Sequence, residues 1–151
     1  MRGDLLFYTP KDWIGRLVAW ATNGPFCHVA IDLGDGTKIE AEWNGIVRTK
    51  TIQRAVAARF NTAKEAPKVE DGLAWLQTQL GNPYGTEDII NQVLRLAGFK
   101  FYIGEPKRYD CSDLAALFLI HSNVGFLLGN EEDNPHLITP NGLAGWLSVH
   151  L

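Results

Sequence analysis

Cys111 stands in the stretch Tyr109-Asp110-Cys111-Ser112-Asp113-Leu114, directly ahead of the unbroken apolar run 114–120. Asp110 and Ser112 are the residue types that cap a helix start, so the spacing predicts that Cys111 occupies the first turn of a buried helix. Unpaired backbone N–H groups and the positive end of the helix dipole lie at such a start, and both favour a thiolate over a thiol. A cysteine in that position is a candidate nucleophile, and a nucleophile of this kind needs a base.

Four histidines are available. His121 is ten residues further along the same helix, roughly 15 Å away, and is out of reach. His150 is next to the last residue, and His136 follows Pro135 in a polar stretch. His28 lies in the apolar run Phe26-Cys27-His28-Val29-Ala30-Ile31, which reads as a strand. A histidine there is most often a half-buried structural residue. A general base also needs a third group to fix its tautomer. The turn Gly34-Asp35-Gly36 pairs this strand with the next one. Residues 40–42 then fall opposite His28, and Glu40 and Glu42 share one face. Glu40, between Ile39 and Ala41, has the less solvent-like setting and is preferred. Cys27, one residue from His28, is expected on the opposite face.

The elements that must position these residues can be read in order. Residues 4–8 form a strand. Pro10 and Asp12 open a helix carrying Trp13, Ile14, Leu17, Val18 and Ala21 at helical spacing. Strands follow at 26–33 and 37–43, then the hairpin signal Asn44-Gly45, then strands at 46–50 and 55–60. The span 34–60 therefore reads as one antiparallel meander. Helices are expected over 69–80 and 86–98, from Cys111, and from Pro140. Residues 125–138 read as a loop. No repeat or linker interrupts the chain, so 1–151 is one domain of α+β class.

Composition narrows the function classes. A chain of 151 residues with 46% hydrophobic content can bury one proper core. The net charge of −3, with no basic run, gives no reason to expect nucleic acid as partner. Two cysteines are too few for a disulfide framework and lack zinc-ligand spacing. No stretch is long and apolar enough for a membrane span, and residues 1–12 lack the pattern of a signal peptide. The expected location is the cytoplasm, with delivery to the envelope by some other machine if the protein acts there.

Several of these segments resemble those of the NlpC/P60 cysteine peptidases. Tyr-Asp-Cys-Ser-Asp-Leu resembles their Asp-Cys-Ser-Gly-Leu nucleophile signature, with Asp113 where glycine is common. Phe26 to Ile31 is similar to their Ser-His-Val-Gly-Ile strand, and Leu80-Gly81-Asn82-Pro83-Tyr84-Gly85 to their Gly-x-Pro-Tyr segment. The histidine strand precedes the cysteine here, as in the circularly permuted branch, the YiiX/YaeF-like permuted papain-like amidases. Gly3 to Phe7, Lys38 to Ala41 and Thr139-Pro140 echo further segments of that branch.

The resemblance implies a permuted papain-like fold, an antiparallel meander or barrel against helices with the nucleophile at a helix N-terminus. It implies Cys111 as nucleophile, His28 as base and Glu40 as orienting residue. Tyr84, Tyr109, Asp110 and Ser112 would line the substrate and oxyanion side, with no metal and no cofactor. The implied activity is that of an amidase or thiol peptidase acting on peptidoglycan stem peptides in cell wall degradation. Two other readings stand beside it: a lipid acyl-chain hydrolase or acyltransferase on the same fold, and a non-catalytic module of a phage tail or secretion machine.

Overall fold

The computed structural model describes residues 1–62, 66–83, 110–124 and 138–150. The sequence-predicted helix over 86–98 and loop over 125–138 therefore lie outside the described residues, apart from residue 138. The elements are β1 (Leu5–Tyr8), α1 (Trp13–Ala21), β2 (His28–Asp32), β3 (Thr37–Glu42), β4 (Gly45–Lys50), a 3-10 turn (Gln53–Ala55) and β5 (Ala58–Phe60). After these come α2 (Val69–Thr78), α3 (Cys111–His121) and α4 (Pro140–His150). The class is α+β, with five antiparallel strands in the order β4-β3-β2-β1-β5.

That order corrects one expectation. Residues 34–60 do not form a single meander, because β5 crosses to the other edge and pairs with β1. The segment 53–57 is a 3-10 turn and a short extended link, with the Ala57 N–H donating to the Phe7 carbonyl at 2.8 Å. The reason is visible in the side chains. On β1, Phe60 meets Phe7 edge to face, with ring centroids 5.3 Å apart, and joins the core.

Alternation along the strands gives the sheet two distinct faces. Leu5, Phe7, Val29, Ile31, Ile39, Ala41 and Ile46 belong to the main core, together with Leu73 and Leu76 of α2, Leu114, Phe118 and Leu119 of α3, and Leu143 and Leu147 of α4. The other face carries Asp4, Tyr8, His28, Asp32, Lys38, Glu40 and Glu42. Asp4 and Asp32 are buried there, and the Arg59 guanidinium reaches both, at 2.8 and 2.7 Å. A buried carboxylate on a sheet face needs such a partner.

α3 is apolar nearly all round, the pattern of a helix inside the core, and eight of its residues are buried. It lies close to α2 at Gly72. A side-chain carbon built at Gly72 would stand 2.9 Å from the Phe118 carbonyl oxygen and would collide with the Ser122 hydroxyl. No helix among the described residues is long and apolar enough to cross a membrane.

Candidate active site

Cys111 is the first residue of α3. Asp110 is the N-cap: its Oδ1 accepts the Asp113 N–H at 2.7 Å and the Ser112 hydroxyl at 3.0 Å. The Ser112 hydroxyl is thus used in building the helix start, and Asp110, Ser112 and Asp113 are all buried. Tyr84 and Tyr109 lie outside the described residues.

His28 opens β2, and Glu40 sits in β3. The register pairs Ile31 with Ile39 and Asp32 with Lys38. Extended outward, it sets residue 42 opposite residue 28, yet the hydrogen bond runs diagonally to Glu40: His28 Nε2 to Glu40 Oε2 is 2.8 Å. Diagonal neighbours are within reach of long side chains. Glu40 is only 2% exposed, whereas Glu42 is exposed on the cleft rim.

The Glu40 carboxylate is saturated with donors. Lys38 Nζ donates to Oε2 beside His28, and the Thr49 hydroxyl donates to Oε1. Burial alone would raise this carboxyl, but the hydrogen bonds from His28, Lys38 and Thr49 outweigh it and hold it down to about 2. Glu40 is therefore a fixed anion. With the carboxylate on Nε2, the neutral imidazole keeps its proton on that nitrogen and leaves the Nδ1 lone pair available as base. The Tyr8 ring flanks the imidazole, with centroids 5.7 Å apart.

A cleft of about 370 Å³ joins these elements. His28, Glu40 and Cys111 all line it, with Lys11, Asp12, Gly15 and Val18 from the α1 side and Trp43 at the end of β3. It opens where β2 begins and β3 ends, so side chains from both faces of the sheet meet there. Cys27 lines it too. Both cysteines are free thiols.

The thiol of Cys111 departs from the expectation drawn from its helix start. It is 6% exposed, and burial pushes it well above the ordinary thiol range. The nearby carboxylates of Asp110 and Asp113 push the same way, against a backbone hydrogen bond from Val29. Desolvation and two negative neighbours thus act against whatever the helix terminus contributes. At rest Cys111 is a protonated thiol, so any nucleophilic role requires its proton to be removed during the reaction.

Two features escaped the sequence reading. Asn141 of α4 treats residue 26 as a strand would: its Oδ1 accepts the Phe26 N–H at 2.8 Å and its Nδ2 donates to the Phe26 carbonyl at 2.8 Å. Nδ2 also reaches the Thr22 hydroxyl at 2.6 Å, fastening the link between α1 and β2 just ahead of His28. The signal was its place after Thr139-Pro140, a helix-opening pair. Lys38 is the second, visible only once alternation placed it on the Glu40 face. The other histidines lie elsewhere or are not described: His121 stacks on Trp75 at 4.4 Å, His136 lies outside the described residues, and the side chain of His150 does too. No cluster of metal-ligating side chains occurs among the described residues. No known family model matches the chain, and no curated protein matches it.

Proposed function

We propose that the protein is a cysteine amidase or peptidase of the circularly permuted, papain-like NlpC/P60 kind, acting on an amide bond in peptidoglycan stem peptides. The observation that carries this reading is the His28–Glu40 hydrogen bond at 2.8 Å, on a cleft that Cys111 also lines. A buried carboxylate on one imidazole nitrogen of a cleft histidine is the arrangement a general base requires. In this reading His28 Nδ1 takes the Cys111 proton as the sulfur attacks the carbonyl carbon. The imidazolium then protonates the departing amine, leaving a thioester. Water, deprotonated by the same imidazole, hydrolyses the thioester and restores the thiol. The Cys111 backbone N–H, in the first turn of α3 where intrahelical partners are missing, suits the developing oxyanion. No step in this scheme needs a metal or a cofactor.

The charged cleft lining, with Lys11, Asp12, Glu40 and Glu42, favours a polar peptide over a lipid acyl chain. The test is hydrolysis of purified muropeptides followed by mass spectrometry. Wild type should release cleaved stems and a folded Cys111→Ala variant should not; turnover retained in that variant defeats the assignment.

The depth of Cys111 favours a second reading, a non-catalytic binding or structural module. Under it, wild type and Cys111→Ala would be equally silent towards muropeptides.

A further inference from the structure

A second cavity, of about 280 Å³, shares Lys11, Glu40 and Glu42 with the cleft that holds Cys111. The two adjoin along β3, where Glu40 and Glu42 line both. The charges around the second cavity are unequal. Lys38 is committed to Glu40 and lies over the Tyr8 ring, with Nζ 4.6 Å from its centroid. Lys11 and Lys50, both exposed, form no ion pair among the described residues. Glu42 is the one acidic lining residue left to oppose them. Tyr8 also lines this cavity, and its hydroxyl is buried with no hydrogen-bond partner among the described residues. Such a hydroxyl is costly unless something bonds to it. Ile52 and Ala55 supply an apolar wall.

We propose that this second cavity binds a carboxylate borne on a short aliphatic arm of the substrate, with Lys50 and Lys11 as counter-charges and the Tyr8 hydroxyl as hydrogen-bond donor. Burial, then the charges of Glu40 and Asp32, push the Tyr8 phenol up to about 12, so it is a donor at neutral pH. A carboxylate fits better than a phosphate, because the surplus is a single positive charge and Glu42 repels a dianion. As a substrate subsite this rests on the amidase reading; as a carboxylate site it does not.

The experiment uses the full chain with Cys111→Ser, so that no turnover intrudes. Two achiral probes are titrated by NMR at low salt: glutaryl-glycinamide, and its neutral counterpart in which the carboxylate is a carboxamide. The charged probe should bind about tenfold more tightly, and the preference should shrink as salt rises. Lys50→Gln, at an exposed position, should cut it to less than about twofold, and Tyr8→Phe, which keeps the ring under Lys38, to about threefold. Loss of preference in either variant supports the site. Equal affinity for the two probes, or a preference unchanged in both variants, overturns it. The outcomes separate from those of the amidase reading. A carboxylate preference without muropeptide hydrolysis by wild type leaves the site standing and removes the enzyme. Hydrolysis without the preference does the reverse.

Discussion

His28 Nε2 and Lys38 Nζ both donate to one oxygen of Glu40, Oε2. One carboxylate therefore anchors the candidate base and a neighbouring ammonium at once. Replacing Glu40 with Gln keeps the shape but removes the charge that fixes the imidazole. Its amide can also turn an N–H towards Nε2 and invert the tautomer. The expected result is a fall in kcat/KM of about a hundredfold or more on muropeptide substrate, with KM changed much less. Circular dichroism checks that the variant is folded.

The same carboxylate makes stability depend on pH. Glu40 is held at about 2 in the folded chain, below the ordinary ~4.3 of an unfolded glutamate. A depressed carboxyl contributes stability that is present above the unfolded value and lost as pH falls towards the folded one. The loss should therefore develop between about pH 5 and pH 2, amounting to roughly 3 kcal/mol. Lys38→Met removes one of the groups holding Glu40 down, so its melts should be less stable at pH 7 and flatter across that acid range. Urea melts from pH 2 to 7 measure both; identical acid slopes in wild type and Lys38→Met would contradict the coupling.

Alkylation tests the protonation of Cys111. Burial and the charges of Asp110 and Asp113 keep the thiol protonated, so iodoacetamide should modify Cys111 slowly at pH 7, with the rate climbing only above the ordinary thiol range of about 8.5. Peptide mapping separates Cys111 from Cys27, whose thiol burial also raises. Rapid labelling of Cys111 at pH 6 would mean that the helix terminus prevails over desolvation after all.

The contact between α2 and α3 is predicted to be intolerant of one methyl group. At Gly72 an added carbon would press on the Phe118 carbonyl and the Ser122 hydroxyl, backbone and side chain of the helix that carries Cys111. Gly72→Ala would gain helix propensity, about 1 kcal/mol at most, and lose more to overpacking, typically 1–3 kcal/mol. A net drop in thermal midpoint is expected, where a solvent-facing helical glycine would show a rise.

Much of the fold was legible from short signals. Asp110 and Ser112 before an apolar run announce α3 at its first residue, and Asn44-Gly45 with flanking alternation announces the β3–β4 hairpin. The Glu40 side of His28 was readable because strands alternate and Glu40 sits between two apolar residues. What could not be read depends on packing between distant segments. The destination of residues 58–60 is set by Phe7, not by any turn signal near them. The state of the Cys111 thiol turns on burial and on the charges of Asp110 and Asp113, of which burial is set by packing that the local sequence does not show.

Asn141 and Phe26 are joined by two hydrogen bonds across 115 residues of chain. On the ribosome the strand bearing His28 emerges well before Asn141, so the backbone ahead of it is clasped only after residue 141 has cleared the exit tunnel and folded back.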